Sequence, residues 1–327
     1  MANQSHQFWI EAPYTGRLRE VPVPEPGPDQ VLIRSEFSGI SAGTETLVYR
    51  GEIPPAVAAL MAAPQQLGEL PYPVSHGYLN VGTVEEGPEE LLGRRVFTLS
   101  GHRSHLVVPT ADCHLLDEQM PSSRALLGGI AEVGLNATWE SEVSLGDRVA
   151  VIGAGLVGLV TGLLLQKLSP ARLELVELDP VRRRRAADLG LKAVTPEEAS
   201  GDNDAVLHTS ATAGGLNRAL ELTGDDGVVV EMSWYGTAEP QIALGADFHA
   251  RRLRLASTQV GEVAAPKRLR RSRRQRLATA LELLDERFDA LITGSSPLVE
   301  LPRVMDDFAR RADWTNNEIL HIVTYDH

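Results

Sequence analysis

The most informative stretch of the chain is residues 149–165, VAVIGAGLVGLVTGLLL. An apolar, β-branched run is followed by Gly153, Gly155 and Gly158 in G-x-G-x-x-G spacing, and then by an apolar helical run. Gly153 would make the tight turn, Gly155 would let a pyrophosphate approach the backbone N–H groups, and Gly158 would let helix and strand pack closely. The stretch therefore predicts a strand, a turn and a helix whose N-terminus binds the phosphates of a dinucleotide.

The residues after the glycines indicate which dinucleotide is bound. Leu156 and Val157 open the helix, so their N–H groups are expected at the phosphates. Glu177 ends the next apolar strand, about 20 residues further on, where a carboxylate accepts hydrogen bonds from the ribose hydroxyls and repels a 2′-phosphate. Asp179 is a nearby alternative. The arginine run 182–185 could hold a 2′-phosphate or form a solvated helix face, so the sequence favours NAD over NADP without deciding between them.

The segments around this motif fall into two kinds. Before residue 120 the chain is rich in Pro and Gly, with short β-type runs such as QVLIRSEF and SHLVVP, and the tail 322–327 returns to β character. Between them, strands and helices alternate, which is typical of a parallel sheet with crossover helices. We therefore expect an α/β fold: a doubly wound Rossmann sheet over 130–262 plus a discontinuous β-barrel domain over 1–129 and 263–327.

Length, charge and cysteine content exclude several classes of protein. A chain of 327 residues favours two domains, and a net charge of −13 disfavours nucleic-acid binding. No apolar run is long enough to span a membrane, and the N-terminus lacks the pattern of a signal peptide. Cys113 is the single cysteine, so the default expectation is a reduced cytoplasmic protein. The basic stretch 267–276 is interpreted as a solvated helix start or as a rim that attracts an anionic substrate.

Three further segments carry a resemblance to a known family. VLIRSEFSGIS…TETLVYRGEIP, YPVSHGYLNVGTV and ALLGGIAEVGLNA are similar to the segments that supply the three catalytic zinc ligands in the medium-chain dehydrogenase/reductase superfamily. By position, those ligands fall on Ser41, Tyr78 and Gly129, and the four-cysteine lobe for a structural zinc is absent. SGISAGTE and the following GY resemble the branch that contains bacteriochlorophyllide a dehydrogenase. The resemblance implies a GroES-like first domain and a nicotinamide-dependent oxidoreductase without zinc.

Without a metal, hydroxyl groups would have to polarise and protonate the substrate oxygen. The resemblance places Thr44 on the proton-relay residue and Tyr78 on the histidine ligand, so we expect both to donate or relay a proton, with Ser41 orienting the substrate. Glu45 would orient the relay residue or pair with an arginine, and His76 is a further candidate. Alternatively, Tyr78 packs in the former metal site, Thr44 caps a helix, and Glu45 and His76 are structural.

A rebuilt metal site is an alternative to this hydroxyl site. It would use His76, His102, His105 and Glu132, although a lone histidine is more often a turn or surface residue. The residues expected to flank the nicotinamide follow three later strands: Ser210, Ala211, Thr212, Trp234, Tyr235, Ser257 and Gln259. The two aromatic side chains would cover the nicotinamide or a flat substrate, or pack between the domains.

The sequence therefore favours a zinc-independent, NAD(P)-dependent oxidoreductase that interconverts an alcohol and a ketone or aldehyde in the cleft between its domains. The substrate would be a small molecule, anionic or flat, and a homodimer is expected by analogy with the superfamily. Two alternatives stay open: reduction of an activated C=C bond, as in quinone-reductase-like members, and a catalytically silent scaffold that binds a dinucleotide.

Overall fold

The computed structural model of the protein describes residues 4–310 and 318–325. The chain divides into two compact units, one formed by Met1–Gly129 with Phe288–His327 and the other by Ile130–Arg287. Within the described ranges, no helix has the length and apolar character needed to cross a bilayer.

The second unit contains a six-stranded, fully parallel sheet in which strand order reverses beside the first strand. Its strands are β10 Arg148–Ile152, β11 Arg172–Val176, β12 Ala193–Val194, β13 Asn203–His208, β14 Thr223–Glu231 and β15 Arg254–Ser257, in the order β12-β11-β10-β13-β14-β15. Its helices are α4 Leu156–Gln166, α5 Pro180–Asp188, α6 Ala213–Leu222 and α7 Arg273–Glu282. This is the doubly wound arrangement that the alternating pattern predicted, and ligands bind such sheets at the carboxyl ends of the strands.

The first unit is built from two further sheets. Its strands are β1 Gln4–Ala12, β2 Thr15–Pro22, β3 Gln30–Ile40, β4 Leu67–Gly68, β5 Val74–Ser75, β6 Asn80–Glu86, β7 Arg95–Thr98, β8 His105–Pro109, β9 His114–Leu115, β16 Ile292–Pro297 and β17 Leu320–Thr324. An antiparallel sheet has the order β2-β1-β5-β4, and a mixed sheet has the order β16-β17-β3-β6-β7-β9, with β8 paired to β3. The helices are α1 Ala42–Arg50, α2 Ser122–Ala125 and α8 Leu301–Arg310, while α3 Gly128–Ser141 begins at the division between the units.

Each unit has its own apolar core. In β3, Val31 and Ile33 are fully buried and pack with Val84 of β6 and Val108 of β8, and Cys113 is buried in the same cluster. In the parallel sheet the strands carry continuous apolar runs, because helices cover both faces. The predicted fold class, α/β with a doubly wound parallel sheet plus a second, β-rich domain, is confirmed, and the β-rich part is observed as one antiparallel and one mixed sheet.

The return to the first unit comes later than the sequence predicted. The change of domain was placed at residue 263, whereas residues up to Arg287 belong to the second unit. The physical reason is Arg276 of α7, which is 1% exposed and donates hydrogen bonds to Glu132 and Asn136 of α3. The predicted tail strand, 322–327, is observed as β17, and residues 326 and 327 lie outside the described residues.

Candidate active site

Three hydroxyl side chains meet where β3 runs into α1. Ser41 is the N-cap residue of α1 but makes no side-chain capping bond there. Its hydroxyl instead accepts a hydrogen bond from the phenol of Tyr78, and the side chain of Thr44 also hydrogen-bonds that phenol. Burial raises the pKa of Tyr78, and these two hydrogen bonds only partly oppose it. The structure thus brings together three of the predicted catalytic residues, with a protonated phenol among them. We call Ser41, Thr44 and Tyr78 the hydroxyl cluster.

Glu45 is a buried carboxylate that hydrogen-bonds the backbone of the hydroxyl cluster at Ser41. Its side chain is 2% exposed, and Oε1 accepts from the amide N–H of Ser41 at 2.7 Å, which fixes the first turn of α1. Its other oxygen, Oε2, lies 2.9 Å from Nε2 of His102. The Nδ1 atom of His102 lies 2.7 Å from the hydroxyl of Ser38, which in turn lies 2.7 Å from the phenol of Tyr325. Glu45 therefore pairs with a histidine and not with an arginine.

His76 reaches the same region as an uncharged group. It is 3% exposed, its Nδ1 lies 2.9 Å from Oε1 of Gln66, and its ring meets the ring of Tyr78 edge-on at 6.2 Å. Burial lowers the pKa of His76 to about 4, so the ring is neutral at pH 7. Since Gln66 occupies Nδ1, the Nε2 atom is left as a buried acceptor, and it has no hydrogen-bond partner in the described part of the chain.

The positions that align with zinc ligands do not offer a zinc donor set. Ser41 and Tyr78 are hydrogen-bonded to each other as hydroxyls. At Gly129 there is no side chain to act as a ligand, and a Cβ atom there would lie 2.5 Å from Cδ2 of Leu79, so a larger residue would require Leu79 to move. Among residues 4–310 and 318–325, no group of three His, Cys, Asp or Glu side chains is placed to hold a metal ion.

The alternative metal ligands named from the sequence are also separated by their partners. His102 is bound by Glu45 and Ser38, whereas His105 lies beside Ser104 and 3.9 Å from Glu85. Glu132 forms a buried ion pair with Arg276 in the second unit. The prediction that these side chains could be assembled as one site is not supported by their observed contacts.

The glycine motif has the geometry that a dinucleotide site requires. Gly153 has φ of +101°, which side-chain-bearing residues rarely adopt. A Cβ atom on Gly158 would lie 2.0 Å from the carbonyl oxygen of Gly153, so only glycine allows α4 to start so close to β10. Gly155 is the N-cap of α4, and a Cβ atom there would have nothing within 4 Å. The open space at Gly155, in front of the helix N-terminus, fits the approach of a pyrophosphate.

Glu177 and Asp179 have different tasks after β11. Glu177 accepts hydrogen bonds from the amide N–H groups of Ala154, at 2.8 Å, and of Asp179, at 2.9 Å, so its carboxylate lies directly beside the glycine turn. Asp179 is the N-cap of α5 and accepts from Val181 and Arg182. Arg183 donates to backbone carbonyls of Glu177 and Leu178. Asp179 is therefore a helix cap, which leaves Glu177 as the carboxylate at the expected ribose position.

Sequence reasoning missed the two titratable groups at the carboxyl ends of β13 and β14. His208 is fully buried, and its Nδ1 lies 2.8 and 3.0 Å from the two carboxylate oxygens of Glu231. Its Nε2 lies 2.7 Å from the hydroxyl of Ser210, a residue that the sequence assigned to cofactor binding. A signal was present, since each of these residues directly follows a run of three apolar residues or more at the carboxyl end of a parallel strand, AVL before His208 and VVV before Glu231. Polar groups in such positions are usually functional.

The other residues predicted beside the nicotinamide lie in the loops that follow these strands. Thr212 is the N-cap of α6, Ala211 has φ of +52°, and the phenol of Tyr235 donates to Glu231 at 3.0 Å. Trp234 precedes Tyr235 and is half-buried, Ser257 ends β15, and Gln259 accepts from the amide N–H of Gly261. Their roles toward a cofactor stay predictions.

The basic stretch is only partly a solvated surface. The residues of 267–275 are exposed, as one of the two interpretations expected. Arg276 is the exception, because it is fully enclosed by Glu132, Asn136 and backbone carbonyl groups. Interpreting it as part of a solvated face or an anion-attracting rim was wrong.

Comparisons with known proteins find zinc-type alcohol and polyol dehydrogenases. The chain is 27% identical over 292 residues to the uncharacterized zinc-type alcohol dehydrogenase-like protein YphC of Escherichia coli (strain K12), covering 72% of this chain and 79% of that protein. It is 25% identical over 228 residues to sorbitol dehydrogenase of Macaca fascicularis, covering 61% of this chain and 64% of that enzyme. No family model matches the chain.

Solved structures with the same fold include proteins with bound nicotinamide cofactors. A zinc-binding dehydrogenase of Sinorhizobium meliloti 1021, whose assignment is itself provisional, was solved with NADP; its TM-score is 0.78 at 20% identity, over 98% of this chain and 99% of that one. An alcohol dehydrogenase (rspB) of E. coli CFT073, solved with NADH, has a TM-score of 0.78 at 16% identity, over 98% and 99%. This chain therefore has the fold of the medium-chain dehydrogenases/reductases, and the proteins to which it is similar are zinc-type alcohol dehydrogenases.

Proposed function

We propose that the protein is an NAD(P)-dependent oxidoreductase that interconverts a small alcohol and its ketone or aldehyde, and that it does so without catalytic zinc. The observation that carries the proposal is the hydroxyl cluster, in which Ser41 and Tyr78 are two of the three positions that the resemblance matches to zinc ligands. A hydroxyl cluster can still supply the hydrogen bonds and the proton that a substrate oxygen needs during hydride transfer.

A nicotinamide cofactor fits the residues of the second unit. Gly153, Gly155 and Gly158 provide the turn and the open helix N-terminus for a pyrophosphate, and Glu177 provides a carboxylate beside them. When bound, the nicotinamide accepts a hydride from the alcohol or donates one to the carbonyl. The position of Glu177 favours NAD, since a 2′-phosphate would be repelled by the carboxylate.

Tyr78 is the proton donor of the proposed reaction. Because burial raises its pKa, the phenol stays protonated at neutral pH and can donate to a carbonyl oxygen as that oxygen gains negative charge. Ser41 and Thr44 hydrogen-bond the phenol and orient it toward a single direction. In alcohol oxidation the same proton moves the other way, from the substrate hydroxyl to the phenolate of Tyr78.

The experiment begins with purified full-length protein whose zinc content is measured before and after dialysis against a chelator. A panel of secondary alcohols, polyols and the matching carbonyl compounds is then assayed with NAD(H) and NADP(H). We expect turnover that is unchanged by the chelator, and tighter binding of NADH than of NADPH. Stoichiometric zinc whose removal abolishes turnover would contradict the metal-free proposal.

Two variants test the roles within the hydroxyl cluster. Tyr78→Phe and Thr44→Val should each lower kcat, the first by about 100-fold because it removes the proton donor. Tyr14→Phe, a change at an exposed tyrosine, is the matched control and should keep full turnover. If both cluster variants turn over an alcohol normally, the assigned mechanism is wrong. If Tyr78→Phe retains activity only toward enones, reduction of a C=C bond would replace our proposal.

A further inference from the structure

A second constellation of nucleophilic and titratable groups lies wholly within the second unit, at the carboxyl edge of its parallel sheet. The hydroxyl of Ser210 lies 2.7 Å from Nε2 of His208, and Nδ1 of His208 lies 2.8 Å from the nearer carboxylate oxygen of Glu231. We call these three residues the Ser210 relay. The same order of groups at the same distances activates the serine nucleophile of Ser-His-Asp/Glu hydrolases on several unrelated folds.

The hydrogen positions in the Ser210 relay follow from its partners. Burial alone would raise the pKa of Glu231, but hydrogen bonds from His208 and from the amide of Ser233 outweigh it and lower that pKa. An ionised carboxylate only accepts, so Nδ1 of His208 must carry a proton. A charged ring would donate at both nitrogens, whereas in the neutral ring Nε2 is an acceptor and the hydroxyl of Ser210 donates to it. This is the arrangement in which a histidine can take the proton of an attacking serine.

The absence of a side chain at Gly215 leaves room for the contact between Ser210 and His208. A Cβ atom on Gly215 would lie 2.2 Å from Oγ of Ser210 and 2.8 Å from Nε2 of His208, so a larger residue in α6 would push the pair apart. Ser210 itself is only half-buried, whereas His208 is fully buried. Ser210 is therefore the partly exposed member of the pair, and its hydroxyl also lies 3.0 Å from the hydroxyl of Thr212.

The start of α6 supplies groups that could stabilise negative charge beside Ser210. Ala213 and Gly214 are the first two residues of this ten-residue helix, and their N–H groups have no intrahelical acceptor. The third N–H, that of Gly215, is taken by the side chain of Thr212 at 3.0 Å. These two amide donors and the positive end of the helix dipole favour negative charge at the start of α6.

We propose that Ser210 is an activated nucleophile and that the protein accepts acyl groups from esters at this residue. Oγ of Ser210 would attack the ester carbonyl and form a new C–O bond while its proton passes to Nε2 of His208. That proton then moves to the leaving alkoxide as the original ester C–O bond breaks, which releases an alcohol and leaves an acyl-serine. Water, activated by His208, hydrolyses the acyl-serine to a carboxylic acid and restores the hydroxyl, with no oxidation or reduction.

The proposed step needs no hydride transfer, although Ser210 is also one of the residues expected to flank a bound nicotinamide. It uses no nicotinamide, and none of its residues belongs to the hydroxyl cluster. Ser210 and His208 act on the ester and are the catalytic residues of the proposed step, whereas Glu231 is a positioning residue that fixes the orientation and tautomer of the imidazole.

The test uses p-nitrophenyl acetate with the full-length protein. We expect a burst of about one equivalent of p-nitrophenol for each chain, and an acetyl group on Ser210 in peptide mass spectrometry of the quenched reaction. Ser210→Ala should abolish the burst, and His208→Gln should slow it by about 100-fold. The matched control is Ser144→Ala, at an exposed serine that hydrogen-bonds Asp147 but no histidine, and it should leave the burst unchanged.

Two results would overturn the proposal. One is acetylation of the wild-type protein at other residues with Ser210 unmodified. The other is a burst of the same rate and size in Ser210→Ala. A second measurement needs no variant: the wild type is labelled with a fluorophosphonate probe, and the modified peptide is mapped. The proposal can therefore be tested even if Ser210→Ala does not fold. Modification by the probe elsewhere than at Ser210 counts against it.

Discussion

The carboxylate oxygen Oε2 of Glu45 lies 2.9 Å from Nε2 of His102, and both side chains are almost completely buried. The residues are 57 positions apart in sequence, and the pair joins the first turn of α1 to the loop between β7 and β8. Since the other oxygen of Glu45 holds the amide of Ser41, this pair sets the position of the hydroxyl cluster.

Removing Glu45 should therefore be costly for stability. Glu45→Ala leaves His102 and the Ser41 amide buried without their acceptor, and we expect a loss of about 3 kcal/mol in the free energy of unfolding. Glu85→Ala is the matched control, because its pair with Arg34 is about one-third exposed and should contribute less than about 1 kcal/mol. Urea denaturation followed by circular dichroism measures both. Equal losses of unfolding free energy in the two variants would show that the buried Glu45–His102 pair stabilises the protein no more than the exposed Glu85–Arg34 pair.

His76 should make the protein acid-sensitive. Its pKa is about 4 in the folded chain, below the value of 6.5 for an exposed histidine. A lowered pKa means that its contribution is present in full above pH 6.5 and is lost as the pH falls toward 4, by about 3 kcal/mol in total. The difference in unfolding free energy between wild type and His76→Gln should therefore shrink by about that amount from pH 7 to pH 4. His6→Gln, at an exposed residue of β1, is the control, and its unfolding free energy should differ from that of the wild type by the same amount at every pH. If the unfolding free energies of wild type and His76→Gln also differ by a constant amount from pH 7 to pH 4, His76 is not the source of the acid sensitivity.

Tyr78 should give the proposed reaction opposite pH dependences in its two directions. Because its pKa is raised above 10, the phenol is a ready proton donor through neutral pH, and carbonyl reduction should depend little on pH until the phenol ionises. Alcohol oxidation needs the phenolate, so its rate should keep rising past pH 9. Steady-state kinetics in both directions test this, and Tyr78→Phe should lose the rise. A plateau of the oxidation rate near pH 7 would assign the proton transfer to another group.

Two glycines of the nucleotide motif should respond differently to alanine. Gly155→Ala meets no protein atom within 4 Å, so the fold should be kept while NADH affinity falls at least about 10-fold, because the new methyl group occupies the space for the pyrophosphate. Gly158→Ala collides with the carbonyl oxygen of Gly153 and should lower the melting temperature as well. Gly201→Ala, also free of contacts, is the control for both. Fluorescence titration with NADH and thermal melts separate the effects, and unchanged affinity in Gly155→Ala would place the cofactor elsewhere.

Arg276 should be the critical arginine of the basic stretch. Arg276→Ala leaves Glu132 as a buried, unpaired carboxyl group and should cost about 4 kcal/mol of unfolding free energy. Arg271→Ala, at an exposed position, should cost less than about 0.5 kcal/mol. Replacing both partners, as Glu132→Leu with Arg276→Met, should recover most of the loss because no charge is left buried. No recovery in the double variant would mean that the arginine acts mainly through its backbone acceptors.

The glycine motif and the hydroxyl-bearing positions could be predicted because the relevant physics is local. The spacing of Gly153, Gly155 and Gly158 is fixed by one turn of backbone, and apolar periodicity distinguishes helix from strand over a few residues. Ser41, Thr44 and Tyr78 were found through aligned positions in short segments, and the structure brings them together.

The partners of the charged groups could not be predicted in this way. Glu45 was expected to orient the relay residue or to pair with an arginine, and it pairs with His102. Arg276 looked like one of several solvated arginines, yet it is the residue that keeps α7 in the second unit. His208 and Glu231 end neighbouring strands of the predicted sheet, but a local pattern does not show that their side chains lie 2.8 Å apart.

The sequence by itself determined the alternation of strands and helices around the glycine motif, the glycine turn, and the residues Ser41, Tyr78 and Gly129 at the positions that the resemblance matches to zinc ligands. The tertiary structure alone decided which buried polar groups meet. Backbone conformation and periodicity depend on residues within a turn or a strand, whereas the partner of a buried carboxylate depends on which strands lie side by side. That adjacency is set by the packing of the whole unit. A buried charge is stable only if it is paired or hydrogen-bonded, so its partner is one of the polar groups that the packing places beside it.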